Sequence, residues 1–479
     1  MTEPSPSSSA PAVDVAIIGA GAAGLMLAVA LARRGIGVAV IDRRDPAPAT
    51  GAGVSDGRVF ALSAGSRRVL EGLGLWPELA AGAAPVNDIL VSDRAGPPLV
   101  RFDHAEMNAG PLGHVVAADA LQRVLADAAR RQPGVRLLAP VQLKHVSPRS
   151  EPFFNSSSPG LSGRSIMRMR ASHDDAPDVK LVLGPRFARA RGPGHDDSML
   201  GQRASEGIAV TADAARLSFA DGGTLDARLL VGADGRQSMV RDAARINVTE
   251  WTYDQAAIVT TVVHARAHDG AAEERFLAGG PFAVLPLPDG PDGSHRSSIV
   301  WTEPSGRVAD LVALGDDDFD AELARRLGSR LGSAHAVGAR WTYPLALSLA
   351  ESYVGNRVAL IGDAAHAIHP IAGQGLNRGI RDAAALAEVI VDAHRLGLDI
   401  GMKTTLLDYE RWRRFDNTCL AAATDLLNRV FGIGNAPFGA LRRAGMRVLD
   451  RIGPVRRLFM AEAMGLNGEL PRLVRGEPL

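Results

Sequence analysis

Cysteine is nearly absent: Cys419 is the only one among 479 residues. A single thiol excludes an internal disulfide framework and a cysteine-built zinc site, and no metal site is expected. A reducing, cytoplasmic setting is the expectation. Excess charge of either sign is also missing. Lys plus Arg and Asp plus Glu both number 53, a formal net charge of zero, which argues against a nucleic-acid binder. The opening stretch, MTEPSPSSSAPA, lacks the basic region and apolar core of a signal peptide. Residues 1–11 therefore read as a disordered leader. One uncharged run, Val15–Ala32, reaches the eighteen residues of a membrane span. It holds Gly19, Gly21 and Gly24, and its two ends have different periodicities, so it is read as two elements and not as a span.

Those two elements define the first motif. Asp14–Ile18 reads as a buried parallel strand. Gly19, Ala20, Gly21, Ala22, Ala23 and Gly24 follow, Leu25–Arg34 reads as a helix, and Val38–Ile41 is a second strand closed by Asp42. In this order the first glycine allows the tight turn. The second lets backbone approach a pyrophosphate, and the third lets helix and strand pack closely. Asp42, eighteen residues past Gly24, is placed to take a ribose hydroxyl. The motif points to a dinucleotide without saying which one.

A second acid-glycine turn closes the buried strand in Leu229–Arg241, LLVGADGRQSMVR, with Asp234 at its tip. A third follows Val358–Ile361, where Gly362-Asp363 leads through His366, His369 and Pro370 to Gly373, Gln374, Gly375, Leu376 and Asn377. There the run Leu376–Ile390 reads as a helix whose N-terminus suits an electron-rich ring or a phosphate. Val135–Val146 reads as extended and Ala118–Arg130 as an amphipathic helix. Asp88–Asp103 reads as a hairpin, and Thr249–Val263, Phe276–Leu287 and Ser297–Thr302 as strands of a mainly antiparallel sheet. Phe319–Leu331 reads as a helix. Phe282, Trp301 and Trp341 either line an apolar pocket or fill a core. Ser147–Gly207 is rich in Ser, Arg, Pro, Gly and Asp and reads as a disordered insertion. The C-terminal region reads as helices, Thr405–Leu427 and then Pro437–Gly465, the latter mixing clustered arginines with large apolar residues. Such a face suits either an anionic membrane or plain solvent.

GAGAAG, GADGRQSMVR and IGDAAHAIHPIAGQGLN, in this order, resemble the single-component flavin-dependent aromatic hydroxylases, the para-hydroxybenzoate hydroxylase superfamily. Gly57–Ser63, GPFAVLPL at 280–287, AHAIHPIAGQGLNR at 365–378, LDYERWRRFDN at 407–417 and Met464–Arg475 are most similar to its ubiquinone-biosynthesis members, which act on polyprenylated phenols. The resemblance implies an α/β fold with α+β elements. A Rossmann-like FAD-binding domain with a parallel sheet (12–85, 113–146, 208–248, 345–395) would interleave with an antiparallel substrate domain (86–112, 249–344), ahead of C-terminal helices (396–479).

The same resemblance assigns roles. Gly19 to Gly24 with Asp42 and Arg43 would hold the ADP half of FAD. Arg58 would lie near the pyrophosphate and the nicotinamide donor, and Gln122 near the ribose region. Asp234 would serve FAD and NADPH together, and Asp363 the ribityl chain. Gly373, Gln374, Gly375, Leu376 and Asn377 would cover the isoalloxazine edge, with Pro370 beside the substrate ring. His366 and His369 either assist phenol deprotonation or are structural. NADPH or NADH would reduce FAD, and O2 would give a flavin hydroperoxide that hydroxylates the ring. The partners implied are the polyprenylated phenol, O2, other quinone-biosynthesis proteins and the inner face of the cytoplasmic membrane as a peripheral contact; nucleic acid is not among them. Alternatives of similar fold are a hydroxylase of a soluble aromatic and a prenyl-lipid reductase; a non-catalytic assembly subunit is a further one.

Overall fold

The computed structural model describes residues 13–46, 58–94, 96–107, 110–144, 207–367, 374–432 and 436–479. The leader 1–11 and residues 147–206 of the expected insertion lie outside these, as do His369, Pro370 and Gly373. Lys144 and Gly207 nevertheless meet: a Cβ on Gly207 would lie 2.4 Å from the Lys144 carbonyl oxygen. Both join the same ladder through Ser218, whose carbonyl accepts from the Lys144 N–H and whose N–H donates to the Gly207 carbonyl.

Two sheets dominate. In the first, parallel strands run in the order Val358–Leu360, Thr224–Gly232, Val13–Ile18, Val38–Ile41 and Val135–Leu138. Val13–Ile18, Val38–Ile41, Val358–Leu360 and the second half of Thr224–Gly232, Leu229–Gly232, are apolar runs buried on both faces, as parallel strands require. Ile18 pairs with both Gly232 and Ile41, and Gly232 with Leu360. The register therefore brings the C-terminal ends of four strands, including Val38–Ile41, to one edge. Helix Ala22–Ala32 is buried almost all round, which accounts for the long uncharged run. Among the described residues no helix is long and apolar enough to cross a membrane.

The second sheet has eight strands, in the order His366–Ala367, Ala334–Ala350, Val248–His264, His295–Pro304, Pro281–Pro286, Ala271–Phe276, Asp88–Asp93 and Val100–Asp103. The stretch 276–287 is not one strand: Leu277–Gly280 turns the chain between two, with Gly280 at φ +144°. Helices Ser305–Ala313 and Asp316–Leu327 cover one face, and Phe282 and Trp301 are fully buried in that core with Phe319. Trp341 pairs with Val259 and is half-buried. A short sheet, Val59–Ser63, Gly113–Ala117 and Ala84–Val86, packs Val115 and Val86 against Ala272 of the large sheet. The C-terminal region forms helices Lys403–Gly432, Ala436–Arg451 and Gly453–Ala463, so 437–465 is divided in two.

Candidate active site

The three turns marked in the sequence meet at the C-terminal edge of the parallel strands, where ligands bind in such sheets. Gly19 has φ +107°, and a Cβ there would lie 2.2 Å from the Ala233 carbonyl oxygen. A Cβ on Gly24 would lie 2.1 Å from the Gly19 carbonyl oxygen. Both glycines are demanded by the protein itself. Gly21 differs: a Cβ there would meet no atom within 4 Å. It is the exposed N-cap of helix Ala22–Ala32, whose first residues Ala22 and Ala23 are half-buried. That open side suits the phosphates of a dinucleotide. The Asp42 carboxylate accepts from the Ala20 N–H at 2.8 Å and the Arg44 N–H at 2.9 Å. From below, the Gln122 amide donates to the Ala20 carbonyl at 2.6 Å. Arg43 is exposed beside Asp42. Exposed Arg58 lies 5.9 Å over the Tyr343 ring.

Asp234 caps the short helix Met239–Ala243. It accepts from the Ser238 hydroxyl at 2.6 Å and from the N–H groups of Met239 and Val240 at 2.7 and 3.3 Å. Burial pushes its carboxyl up, and these bonds only partly offset that. Buried Arg241 donates to the carbonyls of Arg236 at 2.8 Å and Ala364 at 3.1 Å, tying the second turn to the third. In the third turn Gly362 has φ +58° and packs against Ala23 and Gly379. Asp363 opens to the surface beside it, yet the protein around it raises its carboxyl against the pull of His366 and Arg236.

Beneath this turn lies an ionic hub. Asp382 is fully buried on helix Gln374–Arg395. It bonds the His366 imidazole at 2.5 Å and the Gly362 N–H at 3.1 Å through one oxygen. Through the other it accepts from Arg413 at 2.9 Å and Asn417 at 3.2 Å. Burial alone would raise the Asp382 carboxyl, but His366 and Arg413 hold it well below the usual carboxylate range. Thus His366 is placed inside the protein as a partner of Asp382.

At the start of the same helix, Gln374, Gly375 and Leu376 are half-buried. Asn377 accepts from the Ser63 N–H at 2.9 Å and the Ser66 hydroxyl at 2.8 Å, and donates to the Ala61 carbonyl at 2.8 Å. Arg378 pairs with Glu462 of the C-terminal helices. Sequence reasoning assigned no role to Asp382, Arg413 or Asn417. The signals were the family-like run LDYERWRRFDN and, within it, the spacing of Arg413, Asp416 and Asn417, which puts them on one helical face.

Residues 12–147 and 202–413 match the FAD binding domain family. The chain is 40% identical over 451 residues to ubiquinone hydroxylase UbiL of Rhodospirillum rubrum, covering 94% of this chain and 89% of that one. It is 30% identical to 3-demethoxyubiquinol 3-hydroxylase of Escherichia coli, over 91% and 94% of the two chains. In fold it is similar to p-nitrophenol 4-monooxygenase PnpA of Pseudomonas putida, with a TM-score of 0.67 at 18% identity over 95% and 98% of the chains. The chain belongs to the FAD binding domain family, among the flavin-dependent aromatic hydroxylases of ubiquinone biosynthesis.

Proposed function

We propose that the protein hydroxylates the aromatic ring of a polyprenylated phenol in ubiquinone biosynthesis, with FAD as cofactor, NADPH or NADH as reductant and O2 as oxidant. The observation that carries this is the convergence of three acid-glycine turns at one sheet edge, beneath an antiparallel sheet, in a chain related throughout to ubiquinone hydroxylases. The open side of Gly21 fits a bound pyrophosphate, which a side chain there would obstruct. FAD, when bound, supplies the electron transfer and oxygen activation.

The protein's own part is to bind, orient and exclude water. The Gly19–Gly24 turn, held in shape by Asp42 and Gln122, would present backbone N–H groups to the phosphates. Asp234 and Arg241 fix the second turn against the third, and Asp363 would hold the ribityl hydroxyls. The N-terminus at Gln374–Asn377 carries the positive end of a 22-residue helix and would stabilise negative charge on the flavin ring. His366 supports this frame through Asp382. His369 and Pro370 stay assigned beside the substrate ring by resemblance.

A lipid-borne phenol must reach this site from a bilayer. The basic C-terminal helices divide into two sets of arginines. Arg442 and Arg443 bond Asp93, and Arg456 bonds Glu106. Arg447, Arg451 and Arg457 are exposed among Leu441, Val448, Ile452, Leu458 and Phe459, with Leu441 69% exposed. Exposed apolar residues interleaved with exposed cations support peripheral contact with the anionic inner face of the cytoplasmic membrane. The deciding experiment supplies purified protein with NADPH and a short-chain prenylated phenol. Phenol-dependent O2 uptake, matched by NADPH use and a hydroxylated ring, is expected. A colourless protein, or NADPH oxidation without a hydroxylated product, refutes the assignment.

A further inference from the structure

The large sheet carries an uncharged band that the frame around FAD does not use. Phe282 and Trp301 point to the helix-covered side, and side chains alternate along a strand. Their neighbours Ala283 and Val300 therefore face the other way. Ala283 pairs with Val300, Val300 with Val259 and Val259 with Trp341. Directly opposed residues share a face, so these four lie side by side across four strands. Tyr343, two residues from Trp341, lies on the same face under Arg58, which places the band on the side of the nucleotide region.

At the end of the band the chain turns between strands Ala271–Phe276 and Pro281–Pro286. A cleft of about 310 Å³, counting space open to solvent, lies at this turn, near the lower limit of small-molecule pockets. Its walls are Phe276, Leu277, Ala278 and Pro281 of the hairpin and Phe431 near the end of helix Lys403–Gly432. The Phe276 and Phe431 rings stack with centroids 3.7 Å apart. Gln255 also lines the cleft, with its amide engaged by the Gly279 carbonyl at 2.9 Å. Among the described residues that line it, none is charged. Arg442 lies 4.9 Å over the Phe431 ring and bonds Asp93, the cross-strand partner of Phe276. This pins helix Ala436–Arg451 beside the cleft. That helix and the next carry the exposed Leu441, Val448, Ile452, Leu458 and Phe459. The cleft thus borders the uncharged sheet face on one side and the exposed apolar helices on the other.

We propose that this cleft holds the prenyl tail of the substrate where it leaves the ring site, with Phe276 and Phe431 as its walls and Ala278 at its outer rim. This rests on the polyprenylated-phenol reading. A prenyl chain is an uncharged hydrocarbon without hydrogen-bonding groups, so its binding needs apolar surface withdrawn from water and no polar partner. The cleft offers such surface. Ring and tail are then recognised by separate parts of the molecule. The first isoprene units lie between the hairpin and Phe431, and the remainder follows the exposed apolar helices toward the bilayer.

The test titrates oxidised holoprotein with phenols carrying one and three isoprene units, following the flavin absorbance, and repeats the comparison in NADPH- and O2-dependent turnover. Burying one CH2 group tightens binding about fourfold. Partial burial of the added units should therefore make the longer phenol bind at least about tenfold more tightly in the unaltered protein. Ala278→Trp places a large side chain at an exposed rim position, so it is expected to fold, fill the cleft and bring this ratio close to one. Phe431→Asn makes one wall polar and should shrink the ratio in the same direction. A loss confined to the KM of the longer phenol marks tail binding; damage to the flavin site would lower kcat for both phenols. If both variants keep the ratio of the unaltered protein, the cleft does not hold the tail, while the hydroxylase reading stands. If Ala278→Trp keeps the ratio but loses affinity for anionic vesicles, the occupant is a lipid acyl chain and the assignment is likewise overturned. If the unaltered holoprotein hydroxylates neither phenol, the hydroxylase reading falls and this one with it.

Discussion

Replacing Asp382 by alanine tests the ionic hub most directly. The substitution removes the carboxylate that bonds His366, Gly362, Arg413 and Asn417, and Arg413 is itself fully buried. Arg413 keeps Asp416 at 3.0 Å, but that group is partly exposed and does not reach the third turn. Breaking one side of a buried pair leaves Arg413 with only that outer partner, and the loss of such a pair is about 3–5 kcal/mol. The assay is urea unfolding of holoprotein at pH 7, followed by flavin release and by circular dichroism. D382A should unfold at markedly lower urea in both signals. The pH dependence has a definite sign. The Asp382 carboxyl titrates below its unfolded value, so its contribution is complete above the ordinary aspartate pKa, about 4, and is lost as pH falls through the depressed folded value. The gap between D382A and the unaltered protein should therefore hold from neutrality down to about pH 4 and close only in stronger acid. A loss under about 1 kcal/mol at pH 7, the scale of an exposed pair, would show that the hub does not hold the third turn.

Further outcomes follow from the same geometry. Gly21→Val should leave the apoprotein's melting temperature unchanged and abolish flavin retention on a desalting column, because its Cβ meets only open space in the protein. Gly24→Ala should instead lower the melting temperature of the apoprotein, since its Cβ collides with the Gly19 carbonyl. Deleting 147–206 through a short linker between Val146 and Gly207 should preserve yellow, soluble protein, because Lys144 and Gly207 already lie side by side; insoluble protein would contradict this. Changing Arg447 and Arg451 to Glu together with Phe459→Ser should release the protein from anionic vesicles in a flotation assay while its flavin content stays constant. Arg443 is left intact there, because its bond to Asp93 belongs to the fold.

The glycine cradle was legible in the sequence because its chemistry is local: a strand, three glycines and an acid within about one supersecondary unit. Asp382 and Arg413 were not, because their partnership joins two helices and neither side chain has a local pattern that names the other. The two-strand hairpin at 271–286 was read as one strand from 276 to 287, although Gly279-Gly280 carried the turn signal. Strand Ala334–Ala350 escaped notice altogether. It holds Gly338 and Pro344, and its register against Val248–His264 shifts twice, between Thr252 and Ala256 and between Val259 and Thr261. Such irregularities break the alternation by which strands are recognised.

The order of the parallel strands also bears on biosynthesis. Strand Val13–Ile18 finds one neighbour at Val38–Ile41, but the other is Thr224–Gly232, and the turn that completes the edge follows Val358–Leu360. A nascent chain therefore exposes an apolar strand and an uncharged helix for the time needed to make some three hundred further residues, about 15–60 s at 5–20 residues per second. The flavin edge comes into being only after helix Gln374–Arg395 has left the ribosome. Flavin cannot serve as an early nucleus for this fold; it is acquired by a chain already assembled, and its retention reports whether assembly was completed.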